Sequence, residues 1–160
     1  MANPATTTNV WEAITKELFA ILGMVTDDNQ SRTVGIVYHV ENGKFYIGTG
    51  LNTWKARHIK SNHSVSMTIP IAKRIPVAPW VKIPQATITF SGTAKIIPGE
   101  QAPLELLKSV FRHKADDPVF MKDNCLIEVT PQDEFITYGI GIPIFKMRHP
   151  HLARGRAPVK

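Results

Sequence analysis

Cysteine is almost missing from this chain of 160 residues: Cys125 stands alone, so no internal disulfide can staple the fold, and a reducing cytoplasm suits it. No apolar run reaches the ~18 positions that a membrane-spanning helix needs. The opening residues, MANPATTTNVWEAITKEL, hold neither a basic start nor an apolar signal core, so secretion is not expected. No Gly-x-Ser-x-Gly element marks a hydrolase nucleophile. No Gly-Lys-Ser/Thr ending completes a Walker loop. The histidines are few, and His58 and His63 stand five apart rather than the four that places two ligands on one helix face, so no metal site is expected. Internal repeats and low-complexity tracts are absent.

What remains is an ordinary globular composition, 43% hydrophobic and 20% charged. Its length fits a single domain over 1–160, with a core over about 10–141. The net charge of +6 is unevenly spread. Residues 32–95 carry nine bases against the lone acid Glu41, and residues 146–160 carry five bases and no acid. The segments between and before them are acidic. Nucleic acid, a membrane surface or a phosphorylated small molecule could each answer such blocks. The basic tail 146–160 has no interleaved aromatics and no nucleic-acid-binding motif, so nucleic acid is disfavoured. It also shows no regular pattern.

Hydrophobic spacing divides the chain into short elements. Asn9 and Glu12 resemble a capping box, and Val10, Ile14, Leu18 and Ile21 follow at helical spacing, which predicts a helix over about 10–19. Strands are expected over 19–26, 33–40, 44–49, 64–71, 85–97, 125–129 and 135–141, with Asn42-Gly43 as a hairpin turn. Gly92 inside the long strand reads as a bend or bulge. Helices are expected over 53–61 and 103–112. Prolines 70, 76, 79 and 84 make 70–84 an insert or edge segment, anchored by a buried Trp80 or serving as a lid. Strands joined mainly by hairpins, with two or three short helices, predict a mainly β fold: a small antiparallel barrel of about six strands.

One segment carries the chemistry. Lys44–Lys60 reads as a strand, a Gly-containing turn and a helix start capped by Asn52 or Thr53. Lys55 and Arg57 then fall in the first helical turn, where the helix dipole disfavours cations by ~0.3–1 kcal/mol each. An anion bound there would account for them: free backbone N–H groups, threonine hydroxyls and a lysine converge on it. The other reading is a solvated basic helix face.

The runs Arg32-Thr-Val-Gly-Ile-Val, Phe45-Tyr-Ile-Gly-Thr-Gly-Leu-Asn-Thr-Trp-Lys and Asn62-His63 resemble the motifs of the pyridoxamine 5′-phosphate oxidase-like family, FMN-binding split β-barrels that dimerise. Arg32 and Val34 match the first motif, Thr49 and Thr53 the family's threonine and serine, Lys55 the lysine on the flavin phosphate, and Asn62 the asparagine. Departures are Val37 for a lysine, Trp54 for an arginine and His63 for a proline. Thr87 holds the spacing of the family's glutamine, with Gln85 two residues earlier. The vitamin B6 oxidase's substrate-binding C-terminal motif is missing.

The resemblance implies a six-stranded antiparallel split β-barrel of the FMN-binding type, a cytoplasmic homodimer with its cofactor at the interface. Arg32, Thr49, Thr53 and Lys55 would hold the phosphate, with Trp54 beside it. The backbone of Thr33 and Val34, and Gln85, would line the ring. The implied function is a flavin-dependent oxidoreductase on a small-molecule substrate, with no named catalytic acid or base because the cofactor carries the chemistry. The alternative is a non-enzymatic flavin, deazaflavin or haem carrier or sensor on the same barrel.

Overall fold

Alternation of apolar and polar residues builds most of this chain. The computed structural model describes residues 5–78 and 80–160. Helix α1 (Thr7–Lys16) leads into strand β1 (Phe19–Val25) and then β2 (Ser31–Val37). After Tyr38 come β3 (His39–Glu41), β4 (Lys44–Gly50), helix α2 (Trp54–Ser61) and β5 (Ser64–Ile71). The Pro-rich segment precedes β6 (Ala86–Pro98), helices α3 (Leu104–Phe111) and α4 (Pro118–Asp123), β7 (Asn124–Pro131) and β8 (Glu134–Tyr138). A 3-10 turn (Ile144–Arg148), the helical turn α5 (Pro150–Ala153) and β9 (Arg154–Pro158) follow. The strands are hydrogen-bonded in the order β2-β1-β5-β6-β7-β4-β3, with β8 beside β6 and β9 beside β8. The registered pairs are antiparallel.

The chain forms two compact units, with β5 and β6 running through both. One consists of Leu18–Met67 and Ser91–Gln132. Its β1–β2 ladder pairs Phe19 with Val37 and Val25 with Ser31, and β4 pairs with β7 from Phe45↔Val129 to Gly50↔Asn124. Leu22, Met24, Phe45, Ile47, Ile59, Val65 and Met67 are buried within it. On the other face of β4, Tyr46 packs with Leu106, Leu107, Ala115, Met121 and Leu126, so α3, α4 and the turn between them cover that side. The Asn42-Gly43 turn holds both residues at positive φ, 50° and 72°, which the asparagine-glycine pair tolerates.

The other unit consists of Met1–Glu17, Thr68–Phe90 and Asp133–Lys160. Val10, Ile14, Ile69, Ile88, Phe90 and Phe135 are buried there. Trp11 and Phe90 each meet the Phe135 ring edge-on, at 5.1 and 5.5 Å. The indole N–H of Trp11 donates to the Val159 carbonyl, and the Thr7 hydroxyl to that of Pro158.

Several expectations change. The α1 cap is Thr6, whose hydroxyl accepts from the Asn9 N–H, so Asn9 lies inside the first turn rather than capping it. The segment read as one strand over 33–40 breaks at Tyr38, whose N–H donates to Leu18 O, and nine strands are present among the described residues against the six expected. The tail 146–160 is regular after all: β9 pairs with β8, and Arg156 forms an ion pair with Glu134. Pairing with a distant strand supplied what local pattern lacked. Gly92 marks a close approach rather than a free bend, since a Cβ there would lie 2.6 Å from Thr130 O. Trp80 is 77% exposed, so it anchors nothing in its own surroundings. Among the described residues, no helix is long and apolar enough to cross a membrane.

Candidate functional site

The first turn of α2 concentrates unfilled donors. Thr53 is its N-cap: its Oγ accepts from the Ala56 N–H (3.4 Å) and donates to Gly50 O (2.9 Å). The Thr53 N–H is taken by Gly50 O. Of the helix's orphan amides, those of Trp54 and Lys55 have no partner among the described residues. The Thr49 hydroxyl lies 3.2 Å from the Thr53 hydroxyl, buried at the end of β4. Lys55 reaches over the indole of Trp54, with its Nζ 5.7 Å from the ring centroid, and Trp54 meets His58 edge-on. The first turn contains no acidic residue. Four of the residues singled out in the sequence, Thr49, Thr53, Trp54 and Lys55, therefore share one neighbourhood. Asn62 caps the far end of α2 and accepts from the Ser64 N–H, a structural task.

Strand β2 supplies a second part. Among the described residues it pairs on one side only, with β1, so its other edge keeps free backbone groups. Strand β2 leads through Tyr38 into β3, which pairs with β4 through His39↔Tyr46. Val37 and Gly48 line one cavity. Arg32, exposed, pairs with Met24, and half-buried Val34 with Leu22. Arg32 and Thr33 line a cleft of about 390 Å³ with Ser31, Ser64, Ser66, Ser91 and Gln132. The Thr26 hydroxyl donates to Asp28 and, with a backbone hydrogen bond there, holds that carboxyl below its usual range. Gln85 belongs to the other unit, exposed just before β6.

Two features escaped the sequence reading. Glu128, only 7% exposed, accepts from Lys44 Nζ (3.0 Å) and the Tyr46 hydroxyl (3.1 Å), and pairs with Lys95 (3.2 Å). Burial alone would raise its carboxyl, but these three donors outweigh it and hold the pKa low. Burial, then the Glu128 charge, push the Tyr46 phenol up to about 12. The signal was present: a lone acid in the apolar run Cys-Leu-Ile-Glu-Val. The second feature is Arg112, at φ 57° and ψ −131°. Such a conformation costs a residue with a side chain ~1–3 kcal/mol, and nothing in composition or spacing announces it. Cys125 is fully buried, and burial pushes its thiol up.

No family model and no curated protein matches this sequence. Solved structures do match. The haem-binding protein of Mycobacterium smegmatis aligns with 99% of this chain and 60% of its own, at 13% identity and a TM-score of 0.66. A Listeria innocua protein assigned as a pyridoxamine 5′-phosphate oxidase aligns over 79% of this chain and 93% of its own, at 12% identity and a TM-score of 0.59. An F420 reductase aligns over 76% and 91%, at 18% identity and a TM-score of 0.53. The fold is that of the split β-barrels. Within that class, this chain shares its fold with pyridoxamine 5′-phosphate oxidase-like proteins.

Proposed function

We propose that this protein binds FMN and works as a flavin-dependent oxidoreductase on a small substrate. One observation carries the reading: an 8-residue helix, with two open amides among the described residues, opens on a hydroxyl pair and a lysine with no acid in its first turn. That donor set fits a phosphate, whose charge offsets Lys55 at the positive end of the dipole. Lys55, the Trp54 and Lys55 amides, Thr49 and Arg32 would hold it, with Thr53 ordering the turn as its cap. The unpaired edge of β2 at Thr33–Val34 offers backbone donors and acceptors to a flat heterocycle. When bound, the flavin supplies hydride or electron transfer, and the chain's part is to bind and orient it. The reading includes a homodimer, supported by Phe19 and Ile21, which stand 48% and 39% exposed on one face of β1.

The haem-binding neighbour spans nearly the whole of this chain, which supports a second reading, a haem carrier on the same barrel. A deazaflavin in place of FMN is the variant that the F420 reductase neighbour supports. Titration of the purified protein with FMN, followed in the visible spectrum, separates these. Saturable uptake of one FMN per chain is expected. Lys55→Ala is expected to weaken it by about 1.5–3 kcal/mol, the scale of a charge-assisted hydrogen bond. Equal affinity in the variant removes the phosphate assignment. Indifference to FMN with uptake of haem selects the second reading, and with uptake of deazaflavin the variant.

A further inference from the structure

The cavity between β4 and the end of α3 is lined by none of the residues assigned to the cofactor. It measures about 250 Å³ and lies within one unit, walled by Leu18, Val37, Tyr38, Tyr46, Val110 and Phe111. Gly48 lets α3 sit this close to the strand: a Cβ there would lie 2.7 Å from the Phe111 ring and 2.8 Å from Val110. The wall is thus aromatic and aliphatic, and its geometry is set by packing. The Tyr46 hydroxyl is spent on Glu128. The Ser109 hydroxyl, at the rim, is spent on Glu105 O. His39, also at the rim, faces Glu41 at 3.7 Å.

Arg112 is different. It lines the same cavity, its side chain is exposed, and no ion pair engages it among the described residues. It ends α3 at φ 57° and ψ −131°, a conformation for which glycine is the natural occupant. A strained residue persists where its surroundings hold it, and such residues cluster at ligand sites. An exposed arginine with no ion pair among the described residues, lining an aromatic cavity, matches a planar anion, because its fork donates two parallel hydrogen bonds to a carboxylate. The volume falls below the ~300–1,000 Å³ of sites for drug-sized ligands, so the ligand has one or two rings.

We infer that this cavity is a binding site for a small aromatic carboxylate, with the ring against Val37, Tyr46 and Phe111 and the carboxylate on Arg112. The site stands apart from the flavin reading and is tested without FMN. Calorimetric titration of the full chain uses 2-naphthoate as the probe and neutral 2-naphthamide as its control. Naphthoate is expected to bind saturably, one per chain, and the amide about tenfold more weakly or worse. Arg112→Gly is expected to lose about tenfold or more in naphthoate affinity. It should also melt higher than the parent, since glycine takes that backbone conformation freely, so the loss is not one of folding. Ser109→Trp, at an exposed helical position, is expected to fill the mouth and abolish binding. No saturable binding to the parent overturns the site. Equal affinity in Arg112→Gly, or for the amide, overturns the role of the guanidinium.

Discussion

Glu128 shows how one side chain can set the response to pH. Its folded pKa lies below the ordinary carboxylate value, so its contribution to stability is present above about 4.5 and is lost as pH falls through the folded value. Thermal midpoints from neutral to acid pH should therefore drop more steeply for the parent than for Glu128→Gln. Parallel curves would mean that the donors from Lys44, Lys95 and Tyr46 carry no weight. Tyr46 acts at the other extreme. Its phenol titrates near 12 against an unperturbed 10, so its contribution is complete below 10 and fades as pH rises toward 12. Ultraviolet titration should show a late phenol that is lost in Tyr46→Phe. Thr53 was readable as a cap because a threonine before a polar helix start has a local job. Arg112 was not, because a strained backbone conformation is imposed by the packing of α3 and leaves no mark on residue type.

Elements were read well where the signal was local. Strand β5 has the bounds its alternation gave, and the hairpin turns at Asn42-Gly43 as the dipeptide dictates. Elements defined by a distant partner were missed: β9 exists because β8 offers Glu134–Tyr138 as an edge. Helix α4 follows Asp117, whose side chain accepts from the Val119 and Phe120 N–H groups, with Pro118 at its first position. That start signal was legible and was passed over because the helix is only six residues long. Gly92 makes a prediction at this scale. In Gly92→Ala the new methyl would meet Thr130 O, a backbone atom that cannot rotate away, so β6 and β7 must separate locally. A loss of about 1–3 kcal/mol is expected in chemical denaturation. No loss would mean that the two strands have slack at this point.

At the scale of the whole molecule, two compact units share strands of one sheet. Composition gave no linker between the two units, because β5 and β6 pass from one to the other without leaving the sheet. The basic tail contributes to one of these units, where Trp11 and Thr7 donate to the carbonyls of Val159 and Pro158 and Tyr138 donates to Met147 O. Truncation after Gly141 removes all three acceptors together with β9. It is expected to lower the melting temperature by several degrees or more and to expose the free edge of β8. An unchanged melt would make the tail an ornament. The cofactor-side residues Arg32, Thr49, Thr53 and Lys55 lie in the unit that omits the tail, so FMN uptake by the truncated chain separates the two effects.

That arrangement bears on how the protein is made. A ribosome delivers residues in order, and domains fold as units while synthesis proceeds. The unit formed by Leu18–Met67 and Ser91–Gln132 has all its residues once position 132 has emerged. The other draws on residues 1–17, 68–90 and 133–160, so the α1 contacts to β9 form only after the residues of the first unit have been made. Nascent chains ending shortly after position 132 and carried clear of the ribosome by an unrelated linker should therefore already take up FMN, while Trp11 still fluoresces as it does in water.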